Sequence, residues 1–207
     1  MKVFLVRHGE SVGNKAGIHQ TAEMELSDTG RKQAKLIANR LKNQKLNLIY
    51  SSTFFRARQT SEIISESLGI PIEYWDFLIE LRNPSEIHNK RINDPKIAKI
   101  KELVKKNFAM ENFRYSDEET FSELNARVEK VVEHLIRKHQ GENVICISHA
   151  SMIKAIISKM VFGEKLTAQI YTDIRYHFWS TNTGISVCEY GKGKIWGITS
   201  WNDASHL

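Results

Sequence analysis

Two histidines are set alike in this chain. Val3-Phe4-Leu5-Val6-Arg7-His8-Gly9-Glu10-Ser11 and Val144-Ile145-Cys146-Ile147-Ser148-His149-Ala150 each run an apolar, strand-like segment straight into an imidazole, with 141 positions between His8 and His149. Residues just past the carboxyl ends of parallel strands line the ligand crevice of an open α/β sheet, so both rings can reach one cavity. A neutral imidazole is a competent nucleophile near neutral pH, and the guanidinium of Arg7 offers a fixed fork of donors to phosphate oxygens. Gly9 removes a side chain where an anion must approach. The pattern suggests chemistry at a phosphorus or acyl centre, although a strand-end Arg-His pair alone is also an ordinary surface feature.

Ser51-Ser52-Thr53-Phe54-Phe55-Arg56-Ala57-Arg58-Gln59-Thr60 places two more arginines in the first turns of a helix. Positive charge there opposes the macrodipole by ~0.3–1 kcal/mol, so it calls for an anion, and a phosphate would supply one. Arg56 is the better candidate. Arg58 is expected to face solvent or pair with Glu62.

The elements that must carry these residues alternate. Val3–Val6 is a first strand, and Ser27 caps a helix with Ala34, Ile37, Ala38 and Leu41 at helical spacing. Leu46–Tyr50 is a second strand, a helix runs from after Ser52 to Leu68 with Gly69 closing it, and Pro71–Trp75 is a third strand. Residues 76–115 are less regular and form a cap-like insertion. Ser116-Asp117-Glu118-Glu119 has the pattern of a capping box opening a long helix with Phe121, Leu124, Val128, Val131 and Leu135 along one stripe, ending near Gln140-Gly141. Asn143–Ile147 is a strand, a helix follows His149 through about Val161, and Ile185–Tyr190 with Lys194–Thr199 forms a hairpin about Gly191-Lys192-Gly193. The fold class is α/β: a three-layer α/β/α sandwich with a mostly parallel central sheet, in a single domain over residues 1–207.

Composition narrows the partners. Apolar residues make up 41% and charged residues 26%, which sets disorder aside, and no apolar run approaches the roughly 18 residues that span a bilayer. With no signal-peptide pattern, a cytoplasmic location is expected and no membrane partner. The net charge of +6 is most visible from Lys90 to Lys106, where Lys96, Lys99, Lys101 and Lys105 alternate with Ile97, Ile100, Leu103 and Val104 as the solvated face of a helix. No aromatic platform interleaves with them, so no nucleic acid is expected. Cys146 and Cys188 lack any paired spacing and are expected as buried small hydrophobes. His134 and His139 are five apart, not the four that put two ligands on one helix face, and with His19, His88, His177 and His206 they are expected mostly at the surface. The sequence assigns no oligomeric state.

Together, Arg7-His8-Gly9-Glu10, Leu26-Ser27-Asp28-Thr29-Gly30-Arg31-Lys32-Gln33-Ala34, Ser52 to Thr60 with Arg56-Ala57, and Ser148-His149-Ala150 resemble the histidine phosphatase superfamily, also called phosphoglycerate-mutase-like. The ending, Asn182-Thr183-Gly184-Ile185-Ser186-Val187 and Trp201-Asn202-Asp203-Ala204-Ser205-His206-Leu207, is similar to its small phosphatase branch. The resemblance covers the whole chain in order. It implies that His8 becomes a phosphohistidine, that Arg7, Arg56, His149 and Asn14 hold the phosphate, and that residues between Asn14 and Leu26, including His19, rim the pocket. It places the general acid after the third strand, at Glu80, with Glu86 as the rival; the Gly and Glu-Gly pattern that often follows this acid is missing here. Ala150 stands where glycine is common, which a right-handed helical backbone tolerates. Guanidinium and imidazole groups can neutralise transferring charge, so no metal and no cofactor is expected. The expected activity is hydrolysis of a small phosphorylated substrate. The alternatives are a phosphoglycerate mutase-type transferase, disfavoured by the short chain, and a noncatalytic phospho-ligand-binding module.

Overall fold

Alternating side chains decide the layers in the computed structural model, which describes residues 1–110, 113–191 and 193–207. In strand β1 (Lys2–Arg7) Val3 and Leu5 pack on one side and Phe4 and Val6 on the other; in β4 (Asn143–Ser148) Val144 and Cys146 share the first side, Ile145 and Ile147 the second. A strand apolar at every position must be covered on both faces. Helices α2 (Asp28–Leu41) and α3 (Phe55–Leu68) cover one face through Ile37, Ala38, Leu41, Ala57 and Ile64. Helices α5 (Phe121–Lys138), α6 (Ala150–Phe162) and α7 (Ala168–His177) cover the other through Val128, Val131, Leu135, Met152, Ile156 and Tyr171. Each Val, Leu or Ile buried this way is worth roughly 1.5–3 kcal/mol against leaving it exposed.

The sheet order is β3-β2-β4-β1-β5-β6, with β2 at Leu48–Ser51, β3 at Ile72–Tyr74, β5 at Ile185–Tyr190 and β6 at Trp196–Asp203. Strands β3, β2, β4 and β1 are parallel, while β5 and β6 add antiparallel at one edge. One register fact builds the site: β1 and β4 are neighbours with Arg7 opposite Ser148, so the two histidines leave adjacent strand ends side by side. The His8 N–H donates to the Ser148 carbonyl at 3.0 Å.

Several sequence expectations shift. The long helix is opened one turn later than expected, by Thr120, whose hydroxyl and Glu123 form the capping box. Glu118 instead accepts from the Tyr115 and Ser116 N–H groups, and Glu119 turns inward to Arg127. The hairpin's second strand starts at Trp196, and Lys192 of its turn lies outside the described residues. Helices α1 (Val12–Ala16) and α7 were not anticipated; α1 is a single capped turn, and α7 is short with little apolar periodicity. The solvated lysine helix is α4 (Pro95–Asn107), capped by Asp94.

Gly9 serves a different purpose from the one expected. A Cβ there would sit 2.6 Å from the Gly30 carbonyl oxygen, and one on Gly30 would sit 1.9 Å from that of Glu10. The space is filled by the first turn of α2, not kept for an anion, and the two glycines let backbone pack on backbone.

Candidate active site

His8 sits just past β1, His149 at the N-cap of α6 and Arg56 in the first turn of α3; the three are 2%, 0% and 3% exposed. The two imidazole centroids lie 5.0 Å apart. The expected convergence of His8, Arg7, Arg56 and His149 is present.

Hydrogen bonds choose the tautomers. His8 Nδ1 lies 2.7 Å from the Gly9 carbonyl, which can only accept, so Nδ1 carries the proton. Nε2 is left as a lone pair, and it accepts from the Arg56 Nε–H at 3.1 Å. Burial foremost, then the charges of Arg56 and Arg7, hold the His8 pKa well below its ordinary 6.5, so the ring is neutral at neutral pH. His149 is pushed down in the same way, by burial and then Arg56. Its Nε2 meets the Ser52 hydroxyl at 2.8 Å. Ser52 Oγ already accepts from the Phe54 N–H, and His149 is the acceptor its own proton finds among the described residues. The His149 proton therefore sits on Nδ1.

Two buried donors are left over. His149 Nδ1 and Arg7 Nε have no hydrogen-bond partner among the described residues, although a buried unsatisfied donor costs about 1–3 kcal/mol. The His149 ring lies 5.0 Å from that of His8 and Arg7 shares a cavity wall with His8, so an oxyanion bound beside His8 is a candidate partner for both. Burial lowers Arg56 to about 10, with Glu80 opposing, so it stays cationic at neutral pH. Its Nη1 is anchored on the Thr21 carbonyl at 2.8 Å, which holds the fork in place.

Glu80 lies in the wall of the same cavity, a space of about 420 Å³ that also includes Arg7, His8, Arg56, His19, His88 and Lys101. Glu86 is not part of that wall and is exposed. Glu80 also caps α6: its carboxylate accepts from the Ser151 and Met152 N–H groups, each at 3.1 Å, which His149 as N-cap residue leaves free. Asn14 is not in the cavity wall either. Its Oδ1 accepts from the Ser11 N–H and hydroxyl and from Asn182, while its Nδ2 makes no hydrogen bond among the described residues. Ala150 is the first residue of α6 and helical, as its side chain requires.

The sequence assigned no role to some residues at work here. Arg127 on α5 forks onto Glu119 at 2.6 and 2.8 Å and donates to the Phe77 and Ile79 carbonyls, pinning the segment that ends in Glu80. Ser148 Oγ fastens the Leu78 carbonyl from the strand side. Asn182 donates to the His8 carbonyl. Of the histidines expected mostly at the surface, His139 is buried at 7% exposed while His134 is half-buried, and Tyr50 Oη bonds both, at 2.8 and 2.9 Å. A helix carrying them five apart brings both onto a tyrosine from β2 that only the fold places between them. Arg58 does pair outward, with Glu62 and over the Tyr74 ring, and both cysteines are buried and free.

Known proteins resemble this chain along nearly its whole length. Residues 3–204 match the family model of the histidine phosphatase superfamily, branch 1. Phosphoglycerate mutase-like protein 4 of Arabidopsis thaliana is 26% identical over 217 residues, covering all of this chain and 86% of that one. The metal-independent phosphoserine phosphatase of the same plant is 27% identical over 217 residues, covering all of this chain and 83% of its own. Among solved structures, YhfR of Bacillus stearothermophilus superposes with a TM-score of 0.82 at 22% identity, covering 99% of this chain and 98% of that one, which establishes the fold. The match along nearly its whole length and this pocket lead to one conclusion: the chain belongs to the histidine phosphatase superfamily, branch 1.

Proposed function

We propose that the protein hydrolyses phosphomonoesters without a metal ion, through a phosphohistidine at His8. One observation carries this reading: a neutral imidazole whose Nε2 lone pair is engaged only by the Arg56 Nε–H shares its site with two buried donors that have no partner among the described residues, Arg7 Nε and His149 Nδ1. A phosphoryl group placed there satisfies both donors and draws Arg56 Nε–H off His8 onto an oxygen. Nε2 then attacks phosphorus, the ester P–O bond breaks, and its electron pair leaves with the alkoxide. Glu80, in its protonated form, gives the alkoxide a proton, which general acid catalysis makes worth about 10²–10⁴ in rate. In the second half the Glu80 carboxylate takes a proton from water, the water oxygen attacks phosphorus, and the P–N bond breaks to return the lone pair to His8. Arg7, Arg56 and His149 supply the charge stabilisation, preorganised in a water-poor site.

Asn14, linked to the His8 carbonyl through Asn182 but outside the cavity wall, is read as a further phosphate donor only where its unused Nδ2 turns toward the bound group. The Arabidopsis relative named a metal-independent phosphoserine phosphatase supports both a phosphomonoester substrate and the lack of a metal requirement. The described residues of the 76–115 stretch are read as the cap of a single domain, a reading supported by Ile79 to Asn83, His88, Ile92 and Lys101 in the cavity wall. Among the described residues no helix is long and apolar enough to cross a membrane. Two buried free thiols suit a reducing compartment, so a cytoplasmic setting goes with the reading. The test is release of phosphate from p-nitrophenyl phosphate in the presence of a chelator, with His8→Ala inactive and a rapidly quenched wild-type reaction showing an acid-labile phosphoryl group on His8. Activity surviving in His8→Ala ends the proposal.

A further inference from the structure

The motif from Leu26 to Ala34 takes no part in the cavity wall. Its contacts lie on the backbone behind the attacking histidine. The His8–Gly9 peptide is held at both polar ends: Asn182 Nδ2 donates to its carbonyl at 2.9 Å, and its Gly9 N–H donates to Thr60 Oγ1 at 3.1 Å. The next peptide, Gly9–Glu10, has a carbonyl that accepts the His8 Nδ1 proton at 2.7 Å and an N–H that donates to Gln33 Oε1 at 2.8 Å. Beyond it the first turn of α2 takes hold of Glu10, with the Ser27 N–H donating to its carbonyl at 2.9 Å and the Ser27 hydroxyl to its carboxylate at 2.6 Å.

In a planar trans peptide the N–H and the C=O point in opposite directions, so tying one end aims the other. Gln33 on the α2 side therefore turns the Gly9 carbonyl toward the His8 ring. Glycine is the residue whose backbone turns most freely, so this plane depends on its tethers. The Gln33 side chain is half-buried, and its bond to the Glu10 N–H is the one it makes among the described residues. Which ring nitrogen of a histidine carries the proton is set by the bond the other atom's partner offers, and here that partner is the carbonyl Gln33 aims.

Resting on the phosphatase reading, we propose that Gln33 is a positioning residue for the reaction, acting through the Gly9–Glu10 peptide to keep the His8 proton on Nδ1 and so leave Nε2 as the nitrogen that attacks. Gln33 is outside the cavity wall and makes no hydrogen bond to the ring itself. Without Oε1 the Glu10 N–H must find another acceptor, the peptide plane turns with it, and the ring loses the carbonyl that selects its tautomer. A proton moved to Nε2 blocks the lone pair that has to reach phosphorus.

Nitrogen NMR of the full-length protein labelled in its histidine rings tests this, with the His8 signals assigned by their loss in His8→Ala. At neutral pH the wild-type ring should read as protonated on Nδ1 and bare on Nε2. Gln33→Met, which keeps the length of the side chain and removes its acceptor, and Gln33→Ala should both shift His8 to a mixture of tautomers. Their kcat on p-nitrophenyl phosphate should fall roughly tenfold to hundredfold with KM within about twofold of wild type, because Gln33 holds no part of the substrate. Gln33→Glu retains an acceptor oxygen and should restore the wild-type tautomer and most of the rate. An unshifted tautomer in both Gln33→Met and Gln33→Ala, a shifted one with the wild-type rate, or a loss that Gln33→Glu leaves unrestored overturns the proposal. Failure of the phosphatase reading looks different: wild type itself releases no phosphate, while the His8 signals still report whether Gln33 sets the tautomer.

Discussion

Removing Arg127 should unfold the segment that carries Glu80 before it touches the histidine pair. Arg127→Met deletes a two-pronged ion pair with Glu119 and two hydrogen bonds to the Phe77 and Ile79 carbonyls. Glu119 is 1% exposed on its side chain and Arg127 10%, so the orphaned carboxylate cannot rehydrate without opening the structure. Breaking one side of a buried pair costs about 3–5 kcal/mol. At roughly 2–4 °C per kcal/mol for a chain of this size, the melting temperature should fall by about 6–20 °C. The double variant Glu119→Gln with Arg127→Met removes both charges and should recover most of the loss. Urea denaturation of the four forms closes the cycle, and phosphatase assays on the same samples should show kcat falling because Glu80 has lost its anchor. A loss below about 1 kcal/mol in Arg127→Met, or a double variant no more stable than the single one, would refute the reasoning.

Ser52→Ala should lower kcat about tenfold with little loss of stability, because His149 no longer has a donor fixing its proton on Nδ1; Ser52→Thr should restore the rate, and steady-state kinetics of the pair decides the point. Stability should fall with acid. His8 and His149 are held below 6.5 in the fold, so under about pH 6.5 the unfolded chain takes up protons that the native one refuses, and each residue withdraws up to about 1.4 kcal/mol per pH unit. Urea midpoints at pH 7.5, 6.5 and 5.5 should decline across the last step, less steeply in His8→Ala; identical slopes contradict the assignment. Tyr50→Phe strips His134 and His139 of their shared hydroxyl and should cost about 1–3 kcal/mol with catalysis intact, which denaturation and turnover together check.

The local code was legible where one face or one cap decides structure. Ser27, Gly69 and the four-residue apolar runs at β1 and β4 announced their elements from neighbours alone. Arg7, His8, Arg56 and His149 could be named because strand ends and a helix start point to one crevice by the geometry of the layered fold. What stayed hidden depends on distant partners. Sequence order could not show that β4 lies against β1 with Arg7 opposite Ser148, nor that Glu119 would leave a capping role for Arg127.

Chemistry at the level of single protons was also decided in three dimensions. Gly9 faces a helix backbone because Gly30 is brought against it, and the His149 proton is placed by a serine 97 positions away. The chain's own letters determined the elements and the kinds of group at their ends, since propensity and periodicity act over a few residues. Tertiary packing decided which His8 nitrogen keeps its lone pair, which buried donors have no partner among the described residues and where Glu80 is held, because desolvation and hydrogen-bond geometry exist only once remote segments share one buried space.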